Sequence, residues 1–103
     1  MRVDSSRFIP VLFDFADDEA RQRCWGRFLE LRADGARLIT RSLVERGWRL
    51  RLRFDLPGEW IEGVLADVRD ADRDEDGYYV CDLRFGAEED RVRLGRALRR
   101  ILV

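Results

Sequence analysis

The sequence contains no histidine and no lysine; its 20 basic residues are all arginine, set against 21 acidic ones. Without histidine, the chain lacks the commonest general base and the commonest metal ligand. Without lysine, a serine or threonine nucleophile also lacks the amine that sometimes replaces it. Paired carboxylates occur, but in stretches patterned as exposed, so the sequence predicts a non-enzymatic protein with no metal or cofactor. Cysteine is scarce as well. Cys24 and Cys81 lie on separate strand-like segments and make neither a disulfide framework nor a zinc site. Free, buried thiols in a reducing cytoplasm are expected. No apolar run approaches membrane-spanning length, and residues 8–13 are too short, and broken by Pro10, to be a secretory signal. A soluble cytoplasmic protein without membrane association is expected. The net charge of −1 lacks the basic excess that counterion displacement requires, which argues against a nucleic-acid partner.

What is present suffices for one folded unit over residues 1–103. Apolar residues make up 46% of the chain, above the range of disordered proteins. The arginine bias runs along the whole length and points to no site. Segment 48–56, WRLRLRFDL, alternates strictly: Trp48, Leu50, Leu52, Phe54 and Leu56 against Arg49, Arg51, Arg53 and Asp55. Period two gives a strand with one apolar and one charged face. Strands are also predicted over 8–15, 23–32, 37–40, 60–69 and 78–85, with Pro10 at an edge or a bulge and Gly26 at a bulge or close approach. Residues 41–47 read as a loop with one helical turn. From residue 87 to 102 the period changes: Leu94, Leu98, Ile101 and Leu102 fall on one helical face. Glu88, Glu89 and Asp90 at its start and Arg99 and Arg100 at its end match the helix dipole. Six short one-sided strands followed by one amphipathic helix predict a mainly β fold, a small antiparallel barrel with a C-terminal helix. The helix would cap an open end or an edge; its apolar face could also mediate a dimer, so no oligomeric state is assigned.

Three features compete for a functional role. Asp72–Gly77 opens like a calcium loop, D-x-D-x-D-G, but the twelfth position, which must supply a bidentate carboxylate, is Leu83. A solvated turn is expected instead. The stripe Arg49, Arg51, Arg53 is read as the wet face of its strand, paired with acids such as Glu62, Asp67 and Asp82. Trp25, Trp48 and Trp60 could stack on bases, although filling or edging a small barrel is the expected role for most of them.

The segment LELRADGARLIT (29–40) is more specific: a glycine turn flanked by Glu30, Arg32 and Arg37. Together with "GRFLELRADGARL", "ERGWRLRLRFDLP" and "YYVCDLRF" followed by the helix, it resembles the PilZ domain family over nearly the whole chain. That resemblance implies a six-stranded antiparallel β-barrel with a C-terminal helix. It also implies a place in bacterial cyclic di-GMP signalling, in which many such domains are receptors. Receptors of this family resemble one another in R-x-x-x-R ahead of the first strand and [D/N]-x-S-x-x-G at the second turn. Arginine suits a guanine edge or a phosphate, and the acidic or amide side chain accepts from guanine N–H groups. Here Glu30, Arg32 and Gly35 occupy the second motif, with a longer acid and an arginine in place of serine. Arg7 stands at the second arginine of the first motif; the first falls on Val3, and Arg2 is one residue out of register. A second R-x-x-x-R, at Arg23 and Arg27, lies within a strand. The implied site is therefore Arg2, Arg7, Glu30, Arg32, Gly35 and Arg37, with cyclic di-GMP as its ligand. Its departures from the motif favour an adaptor that works through a protein partner in motility, pilus or biofilm control. Alternatives are a receptor with an altered motif and an accessory barrel outside this pathway.

Overall fold

The computed structural model describes residues 2–4 by their backbone and residues 8–18 and 20–101 in full. Seven strands precede one helix: β1 (Arg2–Asp4), β2 (Pro10–Phe15), β3 (Cys24–Arg32), β4 (Gly35–Thr40), β5 (Arg49–Leu56), β6 (Glu59–Arg73), β7 (Tyr79–Phe85) and α1 (Glu88–Ile101). Every pairing is antiparallel. The ladder runs β3–β2–β5–β6–β7–β4 and returns from β4 to β3, closing a six-stranded barrel as the patterning predicts. Closure removes the free edges that an open sheet would leave unpaired.

Alternation decides which side chains fill the cylinder. On β5, Leu50, Leu52, Phe54 and Leu56 are buried, while the charged residues between them face outward. Phe13, Phe28, Leu31, Leu38, Ile61, Val64, Leu83 and Phe85 fill the remaining interior, with Phe28 and Phe54 meeting edge to face at 4.8 Å. The helix covers the end where the β3–β4 and β5–β6 hairpins turn. Leu94, Ala97 and Leu98 are buried there and Ile101 packs against the core; Leu102 lies outside the described residues. Arg93 fastens the helix to the β5–β6 turn, donating from Nε to Glu59 Oε1 (3.2 Å) and from Nη2 to the Trp60 carbonyl (3.0 Å). Arg91 Nη1 donates to the carbonyls of Phe85 and Gly86, each at 2.9 Å.

Several elements differ from the sequence expectation. Strand β1 is additional: it pairs Arg2 with Arg32, Val3 with Leu31 and Asp4 with Glu30. It takes the same edge of β3 that β2 occupies further along, from Pro10↔Arg27 to Phe13↔Cys24. Three residues show no alternation to read, so β1 depends on the β3 edge left open beyond β2. Strand β4 starts two residues early, at Gly35. Strand β6 runs through the acidic stretch to Arg73, because β7 supplies a partner for each of Ala71, Asp72 and Arg73. The reversal is confined to residues 74–78, where Asp74 Oδ1 accepts the N–H groups of Asp76 and Tyr78, both at 2.9 Å. That carboxylate is occupied by its own turn. Segment 41–47 has no helical turn; it is anchored by buried Val44 and ends in a turn at Arg46-Gly47.

Two of the three tryptophans also depart from expectation, and one does not. Trp48 packs edge-on against Phe15 at 5.6 Å, with the Arg21 guanidinium over both rings. Trp25 and Trp60 are exposed, at 66% and 51%. They project from outward positions of strands whose inward positions are already filled. The arginine stripe is paired, though not wholly as expected. Arg49 meets Asp67 at 3.2 Å and Arg53 meets Glu62 at 2.6 Å, but Arg51 and Arg53 share Asp14 of β2, at 3.2 and 3.7 Å. Asp82 lies two strands away from the stripe, between β4 and β6. The Trp60 indole donates to Glu62 at 2.5 Å, and that bond, with the Arg53 guanidinium, lowers the Glu62 carboxyl below its usual range.

Candidate functional site

The β3–β4 hairpin places the predicted motif on the outer wall at the helix-capped end. Leu31 and Ala36 point inward, so Glu30, Arg32 and Arg37 point outward. The reversal itself is made by Ala33 and Asp34, not by Gly35. Gly35 has no left-handed φ; it opens β4 opposite Arg84. Glycine is needed there for space: a Cβ would collide with the Leu83 carbonyl oxygen on β7. The expectation of a glycine that turns the chain is corrected to one that lets two strands close up.

Arg32 lies across this glycine, with Nη2 3.3 Å from where a Cβ would stand. Its guanidinium is held between Glu30 Oε1 and Asp34 Oδ1, both at 3.4 Å. Each pair is worth at most about 1 kcal/mol at this exposure. Arg32 Nε is shut off from solvent and has no hydrogen-bond partner among the described residues, since the Asp34 contact lacks the required geometry. Arg37 is exposed, lies between Glu30 and Asp82 in the ladder, and forms no ion pair among the described residues. The backbone of Arg2 is paired with Arg32 through β1. Arg7 lies outside the described residues. Thus Glu30, Arg32, Gly35 and Arg37 are gathered on one hairpin, and the N-terminal strand runs alongside it.

Next to Arg32, across Gly35, is a cleft of about 490 Å³ in the outer wall. Its walls carry Arg32, Arg46, Arg69 and Arg84. Sequence reasoning missed the last three. They come from the turn before β5, from β6 and from β7, and only the barrel's closure brings them to one place. The available signal was faint: Asp67, Arg69 and Asp70 stand where the regular alternation of β6 breaks.

No protein-family model matches the sequence, and no curated protein matches it. Solved structures do match in fold. The inhibitor of motility MotI (DgrA) from Bacillus subtilis superposes with a TM-score of 0.70 at 21% identity, over 98% of this chain and 49% of that one. YcgR from Escherichia coli in complex with c-di-GMP gives 0.73 at 12% identity, over 99% of this chain and 44% of that one. The PilZ domain of CeSA from a cellulose-synthesizing bacterium gives 0.67 at 17% identity and is matched nearly end to end, over 100% of this chain and 99% of that one. The chain therefore spans about half the length of MotI and YcgR, and at these identities the likeness is one of architecture. A closed six-stranded antiparallel barrel, plugged at one end by a C-terminal helix, gives this chain the fold of a PilZ domain.

Proposed function

We propose that this protein is a non-enzymatic regulator in cyclic di-GMP signalling. It acts as a cytoplasmic adaptor for a protein of the motility, pilus or biofilm machinery rather than by holding the dinucleotide in its hairpin motif. The observation that carries this reading is the double ion pair of Arg32 with Glu30 and Asp34. Glu30 stands where a receptor needs a carboxylate or amide for guanine N–H groups, and here it serves an internal cation. Arg32 fills the position of a small hydroxyl with a bulky guanidinium. Losing one bidentate contact costs about 1–3 kcal/mol, or roughly one to two decades in affinity. Two such losses suffice to silence a micromolar receptor. The similarity to PilZ-fold structures, one of them an inhibitor of motility, supports the pathway.

Calorimetric titration tests this reading. The parent protein is expected to give no saturable heat with cyclic di-GMP at about 100 µM. Arg32→Ser, which restores the hydroxyl and removes the Arg32 guanidinium from Glu30, is expected to gain binding. Saturable binding by the parent would overturn the adaptor reading. It would favour a receptor with an altered motif, a reading supported by the pairing of β1 with residues 30–32. In that case Arg2→Ala and Arg7→Ala should each weaken the binding.

A further inference from the structure

We infer that the outer wall at the end of the barrel away from α1, centred on Trp25 and Ile39, is an interface through which two copies of this chain pair about a two-fold axis. This goes beyond the adaptor reading and does not depend on it. The patterning of the wall is the first argument. Outward strand positions in a closed barrel face water, and β5 fills them with Arg49, Arg51, Arg53 and Asp55. Four adjacent strands do otherwise: Leu12 on β2, Trp25 on β3, Ile39 on β4 and Val80 on β7 hold outward positions. Trp25 is 66% exposed, and Phe8, just ahead of β2, is 72% exposed. Both border an open cleft of about 680 Å³ that Tyr78 also lines. Large apolar side chains gathered on one surface mark a contact with another protein, and tryptophan and tyrosine are common anchors of such contacts. The wall is separate from the hairpin site: Trp25 precedes Arg32 along β3 by about 23 Å at the rise of a strand.

The second argument identifies the occupant. Strands β3 and β4 lie between partners on both sides, so an extended segment finds no edge to join. A partner must dock through side chains, and these carry both signs. Arg27 and Arg41 line the cleft from β3 and the end of β4, and Asp74 and Asp76 from the β6–β7 turn. None of the four forms an ion pair among the described residues. Asp74 is held by its own turn, and the Arg41 guanidinium lies over the Tyr78 ring at 4.9 Å. Arg27 and Asp76 are left, on opposite sides of β4. A partner of one charge sign would match only half of this face, whereas a second copy, rotated by half a turn, matches all of it. A two-fold axis over β4 brings one copy's Arg27 to the partner's Asp76, and its Trp25 to the partner's Tyr78, with the same contacts made in reverse. A net charge of −1 sets up little long-range repulsion between copies. The apolar face of α1 is not available for pairing, because Leu94, Ala97 and Leu98 are buried against the barrel.

Sedimentation equilibrium of the intact chain tests the interface. Between about 5 and about 500 µM the apparent mass is expected to rise from that of one chain toward that of two. Trp25→Asp should hold it at one chain throughout. Arg27→Glu and Asp76→Arg each set like charges together twice in the two-fold contact, and each should weaken association at least about tenfold. Mixed in equal amounts, these two variants should recover the dimer, because a mixed pair has opposite charges at both contacts. Trp60→Ala, which removes the exposed indole on another wall, should change nothing. A single-chain mass at every concentration would leave the face to a different protein and overturn the proposal. A dimer that survives Trp25→Asp, or charge-reversed variants that fail to complement each other, would also overturn it. Trp25 and Asp76 are exposed, circular dichroism checks that each variant is folded, and recovery on mixing cannot come from misfolded chains.

Discussion

Gly35 backs onto Leu83 so closely that the main-chain oxygen of one excludes a side chain on the other. The obstacle is backbone within the β4–β7 ladder, so it cannot swing aside as a flexible side chain would. Gly35→Ala is therefore expected to destabilise the barrel by about 1–3 kcal/mol, the usual cost of overpacking. Urea unfolding followed by circular dichroism checks this.

Gly95 gives the opposite result. It lies within α1, where the nearest atoms to an added Cβ are Ala33 Cβ at 3.7 Å and Arg99 Nη1 at 3.8 Å. Those are ordinary contact distances. Glycine costs a helix interior about 1 kcal/mol relative to alanine. Gly95→Ala should stabilise the protein by about that amount in the same unfolding assay.

Thr40 is the one buried polar residue among those described. Its hydroxyl donates to the Trp25 carbonyl at 2.7 Å and accepts the Ser42 N–H at 3.2 Å. Thr40→Val keeps the shape and removes both bonds. A loss of about 1–3 kcal/mol is expected, together with faster amide exchange at Ser42.

The thiols should separate chemically. Burial pushes the Cys81 thiol up from 9.0 to about 11, whereas Cys24 is only partly covered. Iodoacetamide at mildly alkaline pH should label Cys24 in the native protein and reach Cys81 only in denaturant, as mass spectrometry would show. The sign for stability follows from linkage. Between pH 9 and 11 the unfolded chain releases the Cys81 proton while the native state keeps it, so stability falls as pH rises through that window. Cys81→Ala should flatten this decline.

The barrel was legible in the sequence wherever one side chain in two is apolar. Leu50 to Leu56 announced both their strand and its buried face, and Leu94 with Leu98 announced the helix and its buried face, though not which part of the barrel it covers. The outward positions of Glu30, Arg32 and Arg37 followed from the same period. Strand β1 carried no such signal, because its pairing is decided by β3. The acidic residues of β6 read as loop because charge suggests solvent, yet an outward strand position is equally wet. The partner of the Gly35 contact was hidden for another reason: Leu83 is far away in the chain, and only the register of β4 on β7 brings its carbonyl near. Arg46, Arg69 and Arg84 were hidden in the same way, since each is an unremarkable surface arginine until the cylinder closes.

Strand β1 has a practical implication for anything joined upstream of it. Its ladder runs Asp4, Val3, Arg2 along Glu30, Leu31, Arg32. A polypeptide fused ahead of Arg2 thus leaves the barrel at the rim that bears Arg32 and borders the arginine cleft. An affinity tag or fluorescent reporter placed there would sit as a neighbour to both candidate surfaces, and its charge would alter what they attract.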